Sequence, residues 1–216
     1  MVRVDNISFG YSRKSEVFNS FTFEFAAGNI YGILGRNGAG KTTLLRLISG
    51  LLYPKSGNCL MNGVKLTHRL PATMSELFFL PEEYELPPIT LKKFINVNSV
   101  FYPHFSDDDL LKYTDEFELD LKKKLSSFSY GQKKKFLIAF GLATNASLLV
   151  LDEPTNALDI PSKSQFRKIM ASCISDDRCI VISTHQVRDL ENLIDPVVII
   201  EKGEIIFNQT VESIAS

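Results

Sequence analysis

The 216 residues predict an α/β fold: a parallel sheet under helices, an N-terminal antiparallel β part and a helical segment inserted in the middle. Three observations carry this expectation. The apolar runs LLVL at 148–151 and CIVI at 179–182 resemble strands buried on both faces, as in a parallel sheet covered by helices. In the opening third, Phe21, Phe23 and Phe25 alternate with Thr22 and Glu24, which gives that strand one apolar face. Between about 84 and 145 the pattern changes and reads as mostly helical.

The elements follow in order. NIYGILG at 29–35 is a buried-strand run that ends in a glycine-rich loop, after which Leu44, Leu45 and Ile48 recur at helical spacing and Gly50 supplies a stop. Asn62-Gly63, set between CLM and VKL, is a hairpin signal. Thr90 caps a helix with Leu91, Phe94 and Ile95 on one face. Ser106 starts another, since Asp107 to Asp109 favour the positive end of the helix dipole. Ser129 and Gln132 form an S-x-x-Q capping box, opening a helix that holds Phe136 to Leu142 and carries Lys133 to Lys135 on its solvated side. The last third reads as a strand, a helix, the CIVIST strand, a short helix and the hairpin VVIIEKGEIIF. No repeat or low-complexity linker interrupts it.

Composition narrows the function classes. The apolar share of 44% is ample for a core, and a net charge of -1 gives no general attraction to nucleic acid or anionic lipid, so no nucleic-acid partner is expected. Three scattered cysteines (Cys59, Cys173, Cys179) fit a reducing cytosol better than a disulfide framework. MVRVDNISF has the look of a strand and not of a signal peptide. The apolar stretches fall far short of the roughly 20 residues that span a bilayer, so any membrane crossing is expected from another chain.

GRNGAGKT, from Gly35 to Thr42, satisfies the phosphate-loop pattern between a buried strand and an amphipathic helix. Glycines at 35, 38 and 40 let backbone N–H groups of Arg36, Asn37, Ala39 and their neighbours turn inward around phosphate oxygens, and the helix offers its positive end. Lys41 would reach the β and γ phosphates, and the Thr42 hydroxyl, followed by Thr43, would hold Mg²⁺. Asp152-Glu153 then places two carboxylates at the C-terminal end of a buried strand, where open α/β sheets bind ligands. Asp152 suits Mg²⁺, directly or through water, and Glu153 can accept a proton from an attacking water. Solvated acids at a strand end are the bland alternative.

Taken together, the chain resembles the ATP-binding subunit of an ABC transporter nearly end to end. The resemblance implies a RecA-like P-loop core with a β edge over 1–84 and 131–216 and a helical subdomain over 85–130. Tyr11 in FGYS matches the aromatic that stacks on adenine, although packing is an open alternative. FSYGQ at 128–132 stands where the signature LSGGQ stands, so Ser129, Gly131 and Gln132 would contact the ATP held by a second subunit. NALD at 156–159 resembles the D-loop, and His185 in STHQ the switch histidine that senses the γ-phosphate.

Four positions depart from the pattern, one of them Phe128 in place of the signature's leucine. Glu82 stands where a glutamine is usual; its carboxylate would join Thr42 and Asp152 at Mg²⁺, or else Glu82 and Glu83 form a solvated acidic turn. Tyr130 replaces the signature's middle glycine, and Asn156 replaces a serine. The implied protein is a Mg²⁺-dependent ATPase, working as an ATP-dependent homodimer or as a heterodimer with a similar subunit. It would dock on separately encoded membrane subunits at the cytoplasmic face, with export favoured over import. Two rivals stay open: a soluble relative acting on ribosomes or DNA, and a module that uses ATP only as a dimerisation signal.

Overall fold

A computed structural model describes residues 1–12, 14–190 and 193–209. Alternation of large apolar and polar side chains builds the first sheet. β1 (Val2–Phe9) pairs antiparallel with β2 (Phe18–Phe25), and Val2, Val4, Phe21, Phe23 and Phe25 turn to one buried face. β3 (Asn29–Leu34) leaves this region for the central sheet and runs through the glycine loop into α1 (Lys41–Ile48). Gly50 at φ 64° ends the turn after that helix. β4 (Ser56–Met61) and the short β5 (Val64–Lys65) form the hairpin expected at Asn62-Gly63, where both turn residues have positive φ. The resulting order is β2-β1-β4-β5.

A single turn, α2 (Pro71–Met74), precedes β6 (Leu77–Leu80). The helices α3 (Leu91–Asn98) and α4 (Asp107–Glu116) follow, and the Thr90 and Ser106 hydroxyls accept from the amides of Lys93 and Asp109 as their sequences dictate. α5 (Tyr130–Ala143) opens with the complete Ser129–Gln132 capping box. β7 (Leu148–Asp152), α6 (Ile160–Ser172), β8 (Cys179–Thr184), β9 (Val197–Glu201) and β10 (Glu204–Gln209) complete the chain, with a 3₁₀ turn over Val187–Leu190 in place of the short helix expected after β8.

The second sheet has the order β10-β9-β3-β8-β7-β6, with every pair parallel except the β9–β10 hairpin. Its central strands β3, β8 and β7 are buried on both sides, so their side chains divide between two cores. Leu149, Leu151, Ile180 and Ile182 join the helices α4, α5 and α6, whereas Leu148, Val150, Cys179 and Val181 join α1 and the first sheet. Phe18, Phe25, Phe117, Phe136, Phe140 and Phe166 are fully buried, each contributing about 1.5–3 kcal/mol of transfer free energy.

One expectation is corrected here. Lys133 to Lys135 do not form a solvated face: Lys134 is 0% exposed and its two neighbours are half-buried. The segment at 81–84 lies over this turn of α5, a contact that helical periodicity does not register.

Candidate functional site

The parallel strands bring four connections together at their C-terminal ends: the glycine loop after β3, Pro81-Glu82 after β6, Glu153 after β7 and His185 after β8. In the loop Gly40 has φ 108°, a conformation that favours glycine, and a Cβ there would come within 3.0 Å of the Phe18 ring. Gly40 caps α1 without any side-chain hydrogen bond, so the first-turn N–H groups and the helix dipole face the adjoining hollow. That hollow measures about 340 Å³, and its wall includes Tyr11, Arg36, Asn37, Gly38, Lys41, Thr42, Thr43, Glu82 and Glu153. Ala39 is buried beneath the loop, where its amide donates to the Arg36 carbonyl at 3.1 Å.

Lys41 is buried, donates to the Gly35 carbonyl at 2.8 Å and lies 3.6 Å from Glu153 Oε1. The other carboxylate oxygen of Glu153 meets His185 Nδ1 at 3.0 Å and the His185 amide at 3.4 Å. Glu153 therefore sits, buried, between a lysine and a histidine. Its own φ of 46° is left-handed, a conformation that costs a non-glycine residue about 1–3 kcal/mol and that recurs at functional turns. Beneath it Asp152 Oδ1 accepts the Thr42 hydroxyl at 3.2 Å and the Ser183 hydroxyl at 2.5 Å. Ser183 Oγ also accepts the Glu153 amide at 3.0 Å.

Thr42 and Asp152 thus meet in one oxygen-donor set. The Glu82 carboxylate lies on the wall of the same hollow but accepts the Asn156 amide at 2.8 Å. Among the described residues no cluster of three or more His, Cys, Asp or Glu side chains could hold a metal on its own. A hydroxyl with one or two carboxylates beside a phosphate cradle fits Mg²⁺, which keeps waters and phosphate oxygens in its shell. Burial pulls the Lys134 ammonium down to about 8, against the charges of Glu82, Asp152 and Glu153, which pull it upward.

Tyr11 is 60% exposed at the rim; its hydroxyl lies 3.1 Å from that of Thr43 and its ring meets Phe9 edge-on. His185 faces a further hollow beside Arg36 and Asn37. Ser129, Gly131 and Gln132 are not brought to the phosphate hollow. They line another, of about 400 Å³, with Lys135, Ala157 and Asp159, and the two hollows share no residue. Gly131 is required there, because a Cβ would come 2.8 Å from the Ala157 carbonyl. His68 and His104 lie on the surface. The sequence reading missed Ser183, Lys134 and the Asn156–Glu82 bond. Ser183 could have been found by setting β7 beside β8, since it pairs in register with Asp152.

Residues 18–156 match the family described as ABC transporter. The ABC transporter ATP-binding protein YtrB of Bacillus subtilis is 27% identical over 88% of this chain, which spans 66% of that relative. The Nod factor export ATP-binding protein I of Burkholderia lata is 30% identical over 87% of the chain, which spans 64% of it. The chain thus spans slightly less than two thirds of these relatives. A solved ATP-binding subunit of an ABC transporter superposes with a TM-score of 0.88 at 26% identity, covering 99% of this chain and 91% of that one. The fold is the RecA-like P-loop core with its β subdomain, and the chain belongs to the ABC transporter family, in the part of it that forms the ATP-binding cassette.

Proposed function

We propose that the chain binds ATP with Mg²⁺, hydrolyses it to ADP and phosphate, and so drives export of a substrate through separately encoded membrane subunits. One observation carries the hydrolysis: the buried Glu153 carboxylate stands between Lys41 and His185 at the edge of the phosphate hollow. A carboxylate held there can orient a water and take its proton as the water oxygen attacks the γ-phosphorus. Lys41 and His185, re-aimed from Glu153 to the phosphate, stabilise the charge that develops on the transferring group. Thr42 and Asp152, with Glu82 as a further oxygen, would hold Mg²⁺, which supplies charge neutralisation at the phosphates. Tyr11 would stack on adenine, and the residues from Gly35 to Thr43 would surround the phosphates.

Glu153→Gln should retain ATP affinity and slow hydrolysis on the order of 10²–10⁴-fold, the usual loss of a general base. Lys41→Ala should instead weaken binding itself. Single-turnover hydrolysis at the wild-type rate in Glu153→Gln removes Glu153 from the mechanism.

The placement of Ser129, Gly131 and Gln132 in a separate hollow supports a head-to-tail pair, homodimeric or with a similar subunit, in which they complete the partner's site. A groove of about 730 Å³ between α2, β6 and α3 supports docking on a membrane subunit. It is lined by Leu51, Phe79 and Phe94, and at its rim Val100 and Phe101 are 74% and 65% exposed. No helix among the described residues is long and apolar enough to cross a membrane. On this reading the chain works at the cytoplasmic face, with 85–130 as a helical subdomain beside the groove. Export accords with the similarity to a Nod factor export ATP-binding protein.

A further inference from the structure

Glu82 is held from two directions by side chains that the nucleotide reading leaves unused. Its carbonyl accepts the Tyr130 hydroxyl at 2.8 Å and the Lys134 ammonium at 2.9 Å, both from the first turns of α5. Two residues on, the Tyr84 ring stacks on Tyr130 with centroids 5.2 Å apart and planes 11° from parallel. The Tyr84 hydroxyl donates back to the Tyr130 carbonyl at 3.2 Å, and Lys134 Nζ lies 5.3 Å over the Tyr84 ring. At its other end, Glu82 carries a carboxylate that accepts from Asn156 and lines the phosphate hollow.

Packing alone does not account for this cluster. Residues 81–89 contain no helix or strand, so their backbone has no ladder to hold it. A methionine would fill the Lys134 position without taking an ammonium out of water; burial of that charge is offset here by the carbonyls of Pro81 and Glu82, by the Tyr84 ring and by the charges of Glu82, Asp152 and Glu153. What the lysine achieves is to fix the main chain at 82.

We infer that Tyr130 and Lys134 are positioning residues: by clamping the Glu82 carbonyl to the start of α5, they hold its carboxylate at the phosphate hollow and carry any displacement of Ser129–Gly131 to it. The inference rests on the reading that this hollow takes ATP. One chain would thereby tie the hollow containing its own phosphate loop to the one it offers to a partner.

Tyr130→Phe removes one hydroxyl and keeps the stack, and Lys134→Met removes the donors and keeps the length. In the nucleotide-free chain, both should lower the backbone ¹⁵N order parameters of 82–86 from the rigid range of about 0.85 to below about 0.6, the mark of a loop that has lost its anchor. With ATP and Mg²⁺ present, kcat should fall about fivefold while KM stays within about threefold, the signature of a misplaced group in a site that still binds. Adding Tyr130→Phe to Glu82→Ala should cost nothing more, since the group being positioned is already gone. Unchanged order parameters in both variants, or a Tyr130→Phe loss that multiplies in full with Glu82→Ala, overturns the clamp. If Lys134→Met does not fold, Tyr130→Phe decides. If the wild-type chain hydrolyses nothing, the hydrolysis reading falls, and the order parameters alone decide the clamp.

Discussion

Position 82 brings a third carboxylate towards a hollow already edged by Glu153 and floored by Asp152. Every added anion raises the dependence on a divalent cation, because uncompensated charges at close range repel. Glu82→Gln keeps an oxygen that can accept from Asn156 and removes the charge. We expect hydrolysis within about tenfold of wild type and a lower Mg²⁺ concentration for half-maximal rate. Glu82→Ala should do worse than Glu82→Gln, as alanine offers no oxygen. Superimposable Mg²⁺ titrations of all three proteins would leave Glu82 as surface charge. The contrast with Lys41 and Thr42 shows what is legible at single residues. Their setting lies within eight consecutive positions, whereas the partners of Glu82 come from α5 and from Asn156, 74 positions away. Lys134 was misread for the same reason: three consecutive lysines look solvated until the loop from 81 to 84 is laid over them.

Helix starts were the most legible elements, because a cap is a bond across three residues. Thr90, Ser106 and Ser129 each accept from the amide that the local sequence designates. Strand neighbours are set by the packing of distant segments, and nothing local to β7 announces that Asp152 lies opposite Ser183. The groove beside α3 escaped notice for a related reason. Val97, Val100 and Phe101 look like ordinary core residues in a helical stretch, yet all three are exposed. Phe101→Asp tests what that edge is for. It should leave ATP hydrolysis by the isolated chain unaltered and strongly reduce co-purification with the membrane subunit. Undiminished co-purification would move the docking face elsewhere on the molecule.

For the whole molecule, the separation of the two hollows has a direct consequence for assembly. On the proposed reading, Ser129 and Gly131 complete the phosphate site of a second chain, so the dimer should require nucleotide. Size exclusion with and without ATP and Mg²⁺ should show a dimer only with nucleotide, most clearly in Glu153→Gln, which does not clear it. Ser129→Arg should abolish that dimer and leave monomer affinity largely intact. A dimer of equal strength in both conditions would mean that nucleotide is not the glue. Between the two cores runs β7, whose Leu148 and Val150 belong to one and whose Leu149 and Leu151 belong to the other. This strand is a party wall, and Asp152 and Glu153 stand at its end. Neither side can be rebuilt without moving that wall, so a core substitution far from ATP, on either side, should be felt first as a misaligned carboxylate.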